Sequence, residues 1–140
     1  MIQTVDASLE ELRSVAEAIK RSVPENAVIF LRGDLAAGKT TLAKALAEVL
    51  GYKEAVTSPT FSIQQVYGDR LYHYDLYQCP NEKFMAMGLL ESLEEPGWHL
   101  VEWGDEALRT MLREYGFDTA VVEITQKEDG GRRYRIETDA

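Results

Sequence analysis

Ala27-Val28-Ile29-Phe30-Leu31-Arg32-Gly33-Asp34-Leu35-Ala36-Ala37-Gly38-Lys39-Thr40-Thr41 reads as a strand, a loop and the start of a helix. The run from Ala27 to Leu31 is apolar throughout and contains β-branched residues. That predicts a short strand buried on both faces. Gly33 to Thr40 then fit the pattern G-x-x-x-x-G-K-[ST]. Such a loop turns backbone N–H groups inward around phosphate oxygens, with glycine where unusual dihedral angles are needed. Thr40 to Leu50 is expected to form a helix, stopped by Gly51, whose positive N-terminus faces the same phosphates. Lys39 can reach the β- and γ-phosphates, and the Thr40 hydroxyl is the expected Mg²⁺ ligand. A lysine at a helix start opposes the helix dipole, a cost that makes sense beside an anion. The expected phosphate-binding set is Gly33, Ala36, Ala37, Gly38, Lys39, Thr40 and Thr41.

On the N-terminal side, Ser8-Leu9-Glu10-Glu11 reads as a capping box. Leu9, Leu12, Ala16, Ile19 and Val23 recur at helical spacing, and Pro24 and Asn26 end that helix. On the C-terminal side, residues 62–67 and 70–74 read as a hairpin around Gly68-Asp69. A short helix is expected from Pro80-Asn81 to Met87, interrupted by Gly88. Trp98 to Trp103 is a candidate strand, Asp105 to Tyr115 a helix closed by Gly116. Thr119–Thr125 and Arg132–Thr138 read as a closing hairpin around Asp129-Gly130-Gly131. Together they indicate one three-layer α/β domain over residues 1–140 with a mixed sheet, whose strand order the pattern leaves open.

The 140 residues are 45% hydrophobic and 28% charged, enough apolar surface for a folded domain. Fifteen Lys and Arg stand against 24 Asp and Glu, a formal charge of −9. Such a chain is repelled by phosphate backbones, which disfavours a stand-alone nucleic-acid binder. The single cysteine, Cys79, makes no intramolecular disulfide and fits a reducing compartment. The first twenty residues have no basic stretch followed by an apolar one, and no apolar run approaches the roughly 20 residues that span a bilayer. A cytoplasmic protein without membrane contact is the expectation.

The loop Gly33–Thr41 resembles that of the bacterial TsaE (YjeE) proteins, small P-loop ATPases of tRNA threonylcarbamoyladenosine formation. Three further segments are similar in order. Ser58-Pro59-Thr60-Phe61 resembles the family's S-P-T-[FY], His73-Tyr74-Asp75-Leu76-Tyr77 its H-x-D-x-Y, and Val101-Glu102-Trp103 its V-E-W. The chain departs from the family pattern at Ala36, where glycine is usual, and at Gln78, where arginine is usual. The resemblance implies a P-loop NTPase-like fold with a mostly parallel mixed sheet. ATP and Mg²⁺ are the implied cofactors.

Glu102 lies at a strand end, where a metal-binding acid belongs, and its family counterpart is similar to a ligand of Mg²⁺ or of its water. Thr40 and Glu102 are therefore the expected metal ligands. Asp75 resembles a switch acid that holds a metal-bound water or orients the attacking water. Lys39, Asp75 and Glu102 form the expected catalytic set. His73 alternates with Asp75 along a strand, so both can face one side. Thr60 is either a switch threonine or part of a turn, and Trp103 a lid, an interface aromatic or a core residue.

The arginines, Arg32, Arg70, Arg109, Arg113, Arg132, Arg133 and Arg135 among them, stand in no recognisable finger motif. A phosphate-loop protein without a charge-stabilising arginine hydrolyses slowly. The resemblance thus implies a weak accessory ATPase acting on the TsaB–TsaD transferase complex and meeting tRNA only through those partners. Two alternatives stand beside it: a small-molecule kinase, or a module whose ATP binding alone drives assembly. The segment 78–93 is the only lid-like insertion, and it carries no arginine of the kind a kinase lid uses.

Overall fold

The computed structural model describes residues 1–34, 38–53, 55–57, 63–77 and 79–139, with the backbone alone at 56 and 57. In chain order the elements are β1 (Ile2–Ala7), a 3₁₀ turn (Leu9–Glu11), α1 (Leu12–Ser22), β2 (Ala27–Arg32), α2 (Lys39–Val49), β3 (Ala55–Thr57), β4 (Gln64–Tyr67), β5 (Leu71–Asp75), α3 (Asn81–Ala86), α4 (Leu89–Leu93), β6 (Trp98–Glu102), α5 (Glu106–Glu114), β7 (Thr119–Gln126) and β8 (Arg132–Thr138). All described strands join one sheet in the order β1-β8-β7-β2-β6-β5-β4-β3.

The centre of that sheet, β7-β2-β6-β5, is parallel. Both flanks are antiparallel: β1 and β8 beside β7, and β4 and β3 beside β5. The expected α/β fold with a mixed sheet is present, and its parallel part is the part that carries the loop after β2.

β2 is buried from end to end because the sheet is covered on both sides. Ile29 and Leu31 face α1 and α2, meeting Val15, Ile19, Leu42 and Leu46. Val28 and Phe30 face the other way, into the layer of Phe84, Leu89, Leu108 and Leu112. Each such side chain withdrawn from water contributes about 1.5–3 kcal/mol. The continuous apolar run is the signature of this double cover.

The capping box at Ser8 forms on its glutamate side: the Ser8 N–H donates to Glu11 Oε1 at 3.0 Å. It opens the 3₁₀ turn, not α1 itself. Leu9 therefore falls off the expected apolar stripe and is 53% exposed. The buried stripe of α1 is Leu12, Val15, Ala16, Ala18 and Ile19. α5 is capped by Asp105, whose side chain accepts from the Leu108 N–H at 2.8 Å.

Three elements lack a counterpart in the sequence reading: β1, β3 and α4. β1 is an edge strand that exposes residues at alternate positions, so its apolar alternation is weak. β3 and α4 are three and five residues long, too short for a periodic signal.

Candidate active site

The site lies at the C-terminal ends of the parallel strands, where loops leave the sheet and helix N-termini arrive. β2 delivers Gly33 and Asp34. Gly38 caps α2 with a left-handed φ of 99°, a conformation that suits glycine. Residues 35–37 lie outside the described residues, so the expected contributions of Ala36 and Ala37 are not located.

Lys39 is buried. Its Nζ donates to the Gly33 carbonyl at 2.8 Å and stands 3.6 Å from the centre of the Trp103 ring. Burial pushes the ammonium pKa below its ordinary value, while Glu102, Asp75 and Asp34 pull it back up. The side chain thus sits folded against its own loop under an aromatic cover. Trp103 is 38% exposed and holds a φ of 65°, unusual for a bulky residue. Tyr77 packs against it, with ring centroids 5.0 Å apart. Trp103 belongs to the site's rim, not to the core.

The turn at Trp103 depends on the residue after it. A Cβ at Gly104 would stand 2.6 Å from the Phe30 ring and 2.9 Å from Val101 Cγ1. Glycine lets the chain pass close over β2 and β6, which brings Trp103 over Lys39.

Asp75 and Glu102 end two adjacent parallel strands and are register partners. Their side chains share the face that carries α2, because Leu31 and Leu100 on that face pack against α2 residues. Glu102 is buried, and its Oε2 pairs with His73 Nε2 at 2.5 Å. The Glu102 carbonyl also accepts the Leu76 N–H at 3.0 Å. Asp75 is exposed, and its Oδ1 accepts the Tyr77 N–H at 3.0 Å. The alternation of His73 and Asp75 therefore has the expected result, with His73 serving as the inner partner of Glu102.

A cavity of about 540 Å³ opens among these groups, lined by Thr40, His73, Asp75, Tyr77 and Glu102, with Ile63, Gln65, Cys79 and Lys83 completing it. Thr40 is exposed at the first turn of α2. Cys79 is half-buried on the cavity wall. Among the described residues no group of three or more His, Cys, Asp or Glu side chains forms a metal cage. The oxygen donors present, one hydroxyl and two carboxylates around an open space, fit a cation that keeps waters and shares a phosphate ligand, as Mg²⁺ does. Thr41 is exposed on the same helical turn. The segment 58–61 with Thr60, and Gln78, lie outside the described residues.

The layered parallel centre, the glycine-bounded turn after β2, the lysine behind it and the two strand-end acids together define an α/β protein of the phosphate-loop kind. Residues 6–134 match the family described as "Threonylcarbamoyl adenosine biosynthesis protein TsaE". Curated relatives named tRNA threonylcarbamoyladenosine biosynthesis protein TsaE include one from Treponema pallidum, 35% identical over 138 residues, covering 96% of this chain and 99% of that protein. A second, from Bacillus subtilis, is 35% identical over 138 residues, covering 91% of this chain and 85% of that protein. The crystal structure of Bacillus subtilis YdiB is similar with a TM-score of 0.67 and 28% identity, covering 100% of this chain and 88% of that one. The chain belongs to the TsaE family, a family of tRNA threonylcarbamoyladenosine biosynthesis. No helix of the described residues is long and apolar enough to cross a membrane.

Proposed function

We propose that the protein binds Mg²⁺-ATP and hydrolyses it slowly as an accessory of the transferase pair TsaB–TsaD, reaching tRNA only through them. The observation that carries this reading is the convergence of Lys39, Thr40, Asp75 and Glu102 on one end of the parallel strands. Thr40 and Glu102 would hold Mg²⁺, which supplies charge neutralisation at the terminal phosphates. Backbone N–H groups of the loop after β2 and at the start of α2 would bind the phosphate oxygens. Lys39 would leave the Gly33 carbonyl and the Trp103 ring to meet them. Asp75, exposed at the cavity mouth, would orient the attacking water. His73 holds the Glu102 carboxylate in place from behind.

The charge of −9 supports a division of labour in which partners grip the tRNA. The cytoplasm is where that substrate and those partners would be met. The insertion 78–93 leaves the kinase reading weak, since a kinase lid commonly brings an arginine and this segment offers Lys83 alone. The test is phosphate release from Mg²⁺-ATP, by the protein alone and with purified TsaB and TsaD, with Lys39→Ala as the blank. Low basal release that rises with the partners and disappears in the variant supports the reading. ATP binding without release in either condition would replace it with a binding switch, and a phosphorylated small molecule with a kinase.

A further inference from the structure

The acids of the site all stand on one flank of the phosphate loop. Glu102 and Asp75 end β6 and β5, while β7 lies on the other side of β2. The turn between β7 and β8 rises beside the loop on that second flank. Its first strand residue, Arg132, shares a face of β8 with Tyr134 and Ile136, since side chains alternate along a strand. Tyr134 and Ile136 pack into the core with α1 and α2. Arg133 and Arg135 point the opposite way, and Arg133 is held by Asp6 at 2.9 Å. Arg132 is the arginine of this strand that the pleat directs toward α2.

The geometry bears this out. A Cβ placed on Gly38 would stand 3.6 Å from Arg132 Nε. The guanidinium is half-buried, and its Nη1 donates to the Gly130 carbonyl at 3.3 Å. It therefore lies against the glycine that caps α2, next in sequence to Lys39. The first turn of α2 contains no acid to balance these two cations. On its other side Arg132 lines a separate cavity of about 280 Å³, together with Ser8, Glu11, Lys127 and Asp129.

We infer that Arg132 is a nucleotide-binding residue, supplied from the β7–β8 turn, that contacts the α-phosphate and ribose end of the bound nucleotide. This rests on the nucleotide reading of the site. The strand-end acids mark where the metal and terminal phosphates go, on the β6 side. The rest of the nucleotide leaves the loop on the opposite side, past Arg132 and toward the cavity it lines. A guanidinium there binds phosphate with directed, charge-assisted hydrogen bonds. Because it acts away from the γ-phosphate, it serves ADP and ATP alike and is not a hydrolytic finger.

The test is calorimetric titration of ADP, and of a non-hydrolysable ATP analogue, into the wild-type protein, Arg132→Ala, Arg132→Gln, Arg135→Ala and Lys39→Ala, each checked for folding by thermal melting. Arg132→Ala and Arg132→Gln are expected to weaken both nucleotides to a similar degree, by about tenfold or more, the range of a hydrogen bond to a charged group. Arg135→Ala removes the same charge from the opposite face and should leave affinity near wild type. Unchanged ADP affinity in both Arg132 variants, with binding lost in Lys39→Ala, overturns the inference and leaves the nucleotide reading standing. A loss confined to the ATP analogue also overturns it, by moving Arg132 to the γ-phosphate. An equal loss in Arg135→Ala does so by reducing the effect to net charge. If the wild-type protein binds neither nucleotide, the nucleotide reading falls and the inference with it.

Discussion

Acid should unfold this protein partly through His99, and the amount can be worked out. The ring is buried within β6 and stacks on Tyr72 with centroids 4.5 Å apart. His99 Nε2–H donates to the Glu95 carbonyl at 2.7 Å, since a carbonyl can only accept. Nδ1 is then an acceptor, and it receives the Tyr74 hydroxyl at 2.8 Å. The chain continues outward: Ser92 Oγ lies 2.9 Å from the Tyr74 hydroxyl oxygen, and Gln64 Nε2 donates to Ser92 Oγ at 2.9 Å. A second proton on His99 would set two donors face to face. Burial lowers its pKa from 6.5 to about 4, with the Glu95 carbonyl pulling weakly the other way.

A lowered histidine pKa means the native state prefers the neutral ring. The stability this contributes is whole above pH 6.5 and is lost as pH falls from there through about 4. The linkage relation gives a loss of about 2 kcal/mol between pH 7 and pH 5, and about 3 kcal/mol by pH 4. Urea unfolding at those pH values measures it, for wild type and for His99→Gln. The variant is less stable at pH 7 because the stacked ring is gone. Its curve against pH should nevertheless be flatter than the wild-type curve by about 2 kcal/mol over pH 7 to 5. Parallel curves for the two proteins would refute the argument.

The remaining expectations are shorter. Gly104→Ala drives a methyl into Phe30 and Val101; it should cost about 1–3 kcal/mol in unfolding free energy, read as a lowered Tm. Arg109 is buried and bonds to Thr119 and Asp139 at 3.1 Å each; Arg109→Ala strands the carboxylate and should cost roughly 3 kcal/mol, measured by urea titration. His73→Ala leaves the buried Glu102 without its partner; a loss of about 1–3 kcal/mol in stability is expected by the same titration, together with a weaker Mg²⁺ dependence of nucleotide binding.

The strand, loop and helix around Lys39 were legible because each carries a strong local requirement: a doubly covered strand, a glycine at positive φ, a helix that buries one stripe. Asp75 and Glu102 were legible as strand-end acids, and their pairing required only that β5 and β6 be neighbours. That adjacency, like the rest of the strand order, depends on contacts between segments distant in sequence, which no local pattern records. The Lys39–Trp103 contact was hidden for a similar reason. It needs the positive φ at Trp103 and the close passage of Gly104 over Phe30, and neither leaves a mark on a hydropathy pattern. Arg132 was one arginine among several until the pleat of β8 separated it from Arg133 and Arg135. Leu9 misled because a 3₁₀ turn has a different period from the helix it introduces.

β1, the first strand of the chain, is paired with β8, the last, in register from Ile2 with Glu137 to Ala7 with Arg132. On the ribosome, β1 is made first and has no strand to pair with until nearly the whole chain has emerged. The domain therefore cannot close progressively during synthesis, and the pairing of most distant sequence separation comes late. The same geometry brings the Met1 amine within 3.2 Å of the Thr138 carbonyl. A short linker would splice the two ends, and a chain reopened at the Gly68-Asp69 turn would keep β8 and β1 contiguous. In such a permuted protein the slow, long-range closure becomes a local hairpin, and refolding should run faster with the native sheet intact.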